Sequence, residues 1–123
     1  MSDAPYALDA LDRVFHERGR LAICSALVAN ADALSFTQLQ DACNLTDGNL
    51  NRHLHALAEL GIVETRRITG KGRPQTMVRI TREGRERFLD YIDALESVVR
   101  EVQRSRKRKA SPTRTVPANS TSQ

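Results

Sequence analysis

The sequence predicts a mainly α-helical fold with one small β-hairpin, an α+β domain closed by a long C-terminal helix. Three observations carry this. Leu50, Leu54 and Leu57 fall on one stripe of a helix that starts at Thr46 and stops at Gly61. Two runs rich in β-branched residues, IVETRRI and QTMVRI, flank the turn cluster TGKGRP. From Phe88 to Val102, apolar residues recur at spacings of four, three, four and three.

The elements follow in order. Residues 6–15, YALDALDRVF, place Leu8, Leu11, Val14 and Phe15 at helical spacing and predict an amphipathic helix. HERG breaks it. Residues 20–30 predict a helix buried on most of its circumference, through Leu21, Ile23, Cys24, Leu27 and Val28. ADALS reads as a loop. Ser35 or Thr37 caps a short helix to about residue 42 that buries Phe36 and Leu39. After the turn NLT, the Thr46 hydroxyl is placed to accept from the amide of Gly48 or Asn49, and Gly61 ends the helix over 46–60. The hairpin takes 62–68 and 75–80. Thr81 caps the last helix, expected over 82–104. Residues 105–123 are rich in basic residues, Ser, Thr and Pro, show no periodicity, and read as a disordered tail. One domain over 1–104 is therefore expected, flanked by helices 6–15 and 82–104.

Composition narrows the function. No apolar run approaches the roughly 20 residues of a membrane helix. The acidic start MSDAPYALDALDRVF lacks a signal layout, so the expected compartment is the cytoplasm. Cys24 and Cys43 read as reduced packing residues. The net charge of +4 is unevenly placed. Residues 104–123 hold six basic residues and no acid, which leaves residues 1–103 with 13 basic and 15 acidic groups. Residues 65–82 hold six more basic residues without an acid: Arg66, Arg67, Lys71, Arg73, Arg79 and Arg82. A polyanion would be met at these two places, not over the whole surface. There is no nucleophile motif, carboxylate pair or phosphate loop, so no enzyme is indicated. His53 and His55 do not share a helix face, Cys43 stands alone, and no metal or other cofactor is expected.

The short helix and its successor are separated by a turn of helix-turn-helix length, and a hairpin follows directly, which makes a winged helix-turn-helix. In that order, GRLAICSALV, SFTQLQDACNLTDGNLNRHLHALAELGIVE and GRPQTMVRITREGRE resemble the winged-helix DNA-binding domains of small bacterial transcriptional regulators, the MarR/ArsR-like group. ITREGRE is similar to the LTxxGR that leads from wing to last helix. The resemblance extends to a stand-alone winged-helix family with DGNLxxHLxxLxxxGxV and RPxTxxxLTxxGR. It covers residues 20–87 and implies a transcriptional regulator.

The residues carry their own case. With the leucine stripe inward, Gly48 and Arg52 face outward, flanked by Asn49, Asn51 and His55. Asn pairs with adenine and Arg with guanine in the major groove. Thr46 and the free amides of the first turn suit a phosphate. Gly48 keeps the surface low for close approach. His53 borders the apolar stripe and reads as a packing residue. Arg66, Arg67, Lys71 and Arg73 surround the hairpin tip and suit the DNA backbone. Phe88, Tyr91, Ile92, Leu95, Val98, Val99 and Val102 form a seam longer than a small core needs, so a homodimer is expected, with two reading helices on a near-palindromic duplex. The expected function is a sequence-specific DNA-binding regulator, a repressor. The rival is a winged-helix protein-interaction module, against which the acid-free wing counts.

Overall fold

The computed structural model describes Leu8, residues 11–70 and residues 72–113, the last four by backbone alone. It divides into a unit over Asp12–Tyr91 and a second unit made of the two ends of the chain. The first unit opens with a 3-10 turn, Arg13–Phe15, followed by α1 (Arg18–Ala29), β1 (Ala33–Ser35), α2 (Phe36–Cys43), α3 (Asp47–Glu59), β2 (Val63–Ile68) and β3 (Gln75–Ile80). Helix α4 (Arg82–Thr113) begins in this unit and runs on into the second.

Three elements differ from expectation. ADALS is not all loop, because Ala33–Ser35 pairs antiparallel with β3, Leu34 opposite Val78. The hairpin is thus part of a three-stranded sheet in the order β1-β3-β2. Ala31 and Asp32 take left-handed backbone (φ 58° and 71°) to turn the chain from α1 into β1. Three residues cannot show a strand period, and their partner lies far along the chain. The helix expected over 6–15 is represented, among the described residues, by the Arg13–Phe15 turn and a Leu11 N–H bond to the Leu8 carbonyl (3.0 Å); the rest of it lies outside them. Helix α4 continues past residue 104 to Thr113, so residues 105–113 are helical. The remainder of the expected tail, 114–123, lies outside the described residues.

Phe15, Ile23, Leu27, Leu39, Leu50, Leu57, Val78 and Ile80 are buried. Phe88 and Tyr91, expected in an interchain seam, join them in the core of this unit. The Phe15 ring packs edge-on to Phe88 at 5.2 Å and on Tyr91 at 5.5 Å. A sequence short of aromatics concentrates them here, where each ring hides a large apolar area. Arg87 grips both carboxylate oxygens of Asp12 (2.5 and 3.3 Å), and this guanidinium holds the Asp12 carboxyl below its usual range.

One junction sets how α3, the sheet and α4 meet. Gly61 (φ +75°) ends α3, and the Ile62 amide donates back to the Leu57 carbonyl at 2.9 Å. Thr81 then ties three segments together. Its amide donates to the Ile62 carbonyl (2.8 Å), its hydroxyl donates to the Gly61 carbonyl (2.7 Å), and the same oxygen accepts from the Gly84 amide (2.9 Å). Gly84 lies flat against Ile62, where an added Cβ would stand 2.3 Å from the Ile62 carbonyl oxygen. Backbone cannot yield as a flexible side chain can. Gly84→Ala is therefore expected to lower the unfolding free energy by about 1–3 kcal/mol, the cost of overpacking, as a shift of the urea midpoint. An unchanged midpoint would show that the junction tolerates a methyl group.

Candidate nucleic-acid interface

Helices α2 and α3 are set by their caps. Ser35, not Thr37, caps α2 in a reciprocal box: its hydroxyl accepts from the Gln38 amide (3.1 Å) and the Gln38 side chain accepts from the Ser35 amide (2.9 Å). Asn44 turns the chain in left-handed backbone (φ 54°). The Thr46 hydroxyl accepts from the Asn49 amide at 3.2 Å, one of the two expected partners. The Gln40 amide donates to the Asp47 carboxylate and ties the end of α2 to the start of α3.

The outer face of α3 and the hairpin enclose one groove of about 640 Å³, open to solvent. Gly48, Asn51, Arg52 and His55 line one side; Thr65 and Thr76 line the other. Asn49 stands apart, and its side-chain carbonyl accepts from the Arg52 guanidinium at 3.1 Å. It orients the arginine and leaves the charge unneutralised, since no carboxylate meets Arg52 among the described residues. His55 leans on Glu59, its i+4 neighbour, at 3.4 Å.

Strand alternation divides the expected wing arginines. Arg67 lies opposite Thr76 and shares the sheet face of Thr65, the groove face. Arg66 lies opposite Met77 on the other face, where it lines a separate concavity with Ile68 and Arg79. Arg73 lines a smaller concavity with Ser35 and Thr37 that shares Phe36 and Thr76 with the groove, so it flanks the main site. Lys71 lies outside the described residues. Arg79 pairs with Glu64 (3.1 Å) and Arg82 with Glu86 (3.9 Å). Among the described residues, Arg66, Arg67 and Arg73 have no such partner. Thr65 and Thr76 escape sequence reasoning because their role depends on the register of the hairpin. Asp47, an acid in the first turn of α3, is a further neighbour that the sequence reading left aside.

His53 is buried and packs α3 on α1. A Cβ on Gly19 would stand 2.4 Å from its Nε2. Its Nδ1 lies 3.7 Å from a Glu17 carboxylate oxygen, and Glu17 also caps α1 by accepting from the Arg20 amide (2.9 Å). Burial pushes the His53 pKa below its ordinary value, against the opposing pull of Glu17 and with help from Arg52 and Arg20. Among the described residues, no cluster of His, Cys, Asp and Glu could hold a metal ion, and no helix is long and apolar enough to cross a membrane. Cys24 is buried, and burial first, then Cys43, raises its thiol pKa to about 12, so it is inert as a nucleophile.

A helix-turn-helix whose second helix faces a groove shared with a β-hairpin defines the class of winged-helix nucleic-acid-binding proteins. Within that class the chain belongs to the winged helix DNA-binding domain family, whose model matches residues 20–99. An uncharacterized protein of Methanocaldococcus jannaschii is 41% identical over 80 residues, 65% of this chain and 86% of that protein. The solved transcriptional regulator homologue from Pyrococcus horikoshii OT3 superposes with a TM-score of 0.69 at 30% identity, covering 74% of this chain and 89% of that one. A MarR-family transcriptional regulator from Silicibacter pomeroyi shares the fold (TM-score 0.50, 21% identity, 85% of this chain and 60% of that one). The matched family is one of DNA-binding domains, and the fold is shared with these solved transcriptional regulators.

Two expectations follow from this geometry. The folded state resists charging His53, so between its lowered folded pKa and the unfolded value near 6.5 the unfolded chain binds more protons. This contribution to stability is present above pH 6.5 and is lost as the pH falls below it. Urea midpoints compared at pH 7.5 and 5.5 should fall more for the wild type than for His53→Gln; equal falls would place the titration elsewhere. Gly48 has nothing within 4 Å of an added Cβ. Gly48→Ala should raise the unfolding free energy by up to about 1 kcal/mol through helix propensity. If the groove takes a DNA edge, the same change weakens duplex binding several-fold. A variant both more stable and equally avid would mean that nothing approaches α3 there.

Proposed function

We propose that this protein is a sequence-specific DNA-binding transcriptional regulator that acts in the cytoplasm as a homodimeric repressor on a near-palindromic operator. The observation that carries the proposal is the shared groove, where Asn51, Arg52, His55 and Gly48 face hairpin residues across an open cleft. The amide and guanidinium donors suit base edges in the major groove, with Arg52 held ready by Asn49. Thr46 and the first-turn amides suit a phosphate beside them. Arg67 and Arg73, with Lys71 between them in the sequence, suit the DNA backbone, and Arg66 suits a phosphate from the far face of the sheet.

The dimer rests on α4. With Phe88 and Tyr91 assigned to the core, the candidate seam is Ile92, Leu95, Val98, Val99 and Val102. Val99 and Val102 are 45% and 50% exposed, and the other three are half-buried. A stripe of that kind on a long helix suits a second helix of its own sequence. Two copies present two α3 helices, and two-fold symmetry then asks for a near-palindromic site. Repression needs only occupancy of that site.

The test uses an operator selected from a random duplex pool. Arg52→Ala should weaken operator binding by roughly 5- to 150-fold, the equivalent of about 1–3 kcal/mol for a lost bidentate contact, and leave the molar mass in sedimentation unchanged. Arg67→Ala should weaken selected and shuffled duplexes alike and reduce the salt slope by about 1. Unchanged operator affinity for Arg52→Ala in moderate salt would overturn the assignment of α3. A wild-type chain that no duplex retains would favour a protein-interaction module instead.

A further inference from the structure

The last acid in the sequence is Glu101, and five of the six residues 104–109 are basic. These residues are helical and exposed apart from half-buried Ser105. Two ordinary explanations for such a cluster fail. Cations in the final turn of a helix offset its dipole, but the final turn of α4 holds no basic residue. Ion pairing within the helix accounts for Arg100 with Glu96 (3.6 Å) and Arg104 with Glu101 (3.5 Å). Within α4 the sequence offers no acid beyond Glu101 for Arg106, Lys107 or Arg108, and no ion pair is formed at these three among the described residues. Like charges three and four residues apart cost a helix about 0.2–0.5 kcal/mol per pair, so the cluster works against the element that carries it.

Part of the charge gathers on one face. At about 100° per residue, Arg100, Arg104 and Lys107 fall within about 60° of one another. Together with Gln103 and Arg106 they line one concavity. Leu95, Val98 and Val102 lie on the opposite side of the same helix, and Arg106 falls on that side too, about one turn beyond Val102. A partner helix on the apolar seam would leave the basic face uncovered. A basic amphipathic helix can instead lie on a lipid surface, but that requires apolar side chains to insert among the lipids. Residues 104–109 have none.

We infer that the basic segment 104–109 of α4 is a second, sequence-independent contact for the phosphates of duplex DNA. The inference rests on the DNA-binding function proposed above and assigns the segment a separate part in it. Residues on α3 discriminate between sequences, whereas this segment raises affinity for any duplex by releasing counterions.

The experiment uses the full chain, the selected operator and a shuffled duplex of equal length, titrated with salt. In Arg106→Gln/Lys107→Gln/Arg108→Gln, the plot of log K against log salt should become shallower by about 2–3, at about 0.9 per phosphate contact. Binding of the shuffled duplex at low salt should fall roughly tenfold or more. The ratio of operator to shuffled affinity should stay within about twofold, because this helix reads no base. Arg106→Lys/Arg108→Lys, which keeps the charge, should keep the wild-type slope, and circular dichroism should show the helix retained in both. An unchanged slope in the triple Gln variant, with operator preference intact, overturns this inference alone. A lowered slope in a protein that never preferred its operator leaves the inference standing and overturns the sequence-specific function. An unchanged slope together with lost binding to anionic phosphatidylserine vesicles overturns it in favour of a membrane surface.

Discussion

The junction of Gly61, Ile62, Thr81 and Gly84 is the constraint on which the rest of the first unit depends. It brings together the end of α3, the start of β2, the end of β3 and the start of α4 within one set of short backbone bonds. The hydroxyl of Thr81 uses its proton on the Gly61 carbonyl and its lone pair on the Gly84 amide, so it closes one turn and opens the next. Because Gly84 has no side chain, α4 can rest directly on the Ile62 backbone. The angle between α3 and the hairpin is fixed at this point, and the width of the groove between them follows from that angle. A helix face alone would be only a polar surface. The junction makes it one wall of a cleft.

Ion pairing then sorts the charges around that cleft. The acid-free stretch 65–82 is acid-free only in sequence. In space, Glu64 reaches Arg79 and Glu86 reaches Arg82, which leaves the hairpin proper with the unneutralised cations. Such exposed pairs contribute little stability, about 0–1 kcal/mol each. Their effect here is to localise positive potential at the hairpin instead of spreading it over the sheet. Arg52 receives the opposite treatment. It is steadied by a neutral amide that takes one of its N–H groups, so it keeps its charge and its remaining donors for an incoming acceptor.

The helices, the hairpin, the Thr46 cap and the Gly61 stop were legible in the sequence because each has a local cause: a 3.6-residue period, a hydroxyl before a helix, a glycine after one. The outward set Gly48, Asn51, Arg52 and His55 followed from the leucine stripe by geometry alone. What was not legible depended on partners distant in the chain. The strand Ala33–Ser35 exists because β3 offers it an edge. Phe88 and Tyr91 continue the period of α4 without a break, and nothing local marks them as core. Phe15 and His16, some seventy residues earlier, do so. The division of Arg66 from Arg67 depends on which face of the sheet looks toward α3. The helical end of α4 was hidden for a different reason: repelling charges and scarce apolar residues remove the pattern by which a helix is recognised, though the backbone still adopts one.

In the function proposed above, base-reading and phosphate-gripping make opposite demands, and they fall to different elements. Discrimination between sequences needs donors held in fixed positions, because a misplaced guanidinium pairs with a wrong base almost as well as with the right one. That demand suits α3, whose inner face is locked by buried Leu50, His53, Leu54 and Leu57 and whose outer face carries few, short or braced side chains. Attraction to a polyanion needs charge and reach but little geometry, and it suits the long side chains of Arg67, Arg73 and the basic run of α4. The buried imidazole of His53 stands where the first demand meets the scaffold. It packs against Gly19 behind the outer face of α3 and immediately beside Arg52 in sequence, so a change in its charge would be felt first at the residue on which the proposed reading most depends.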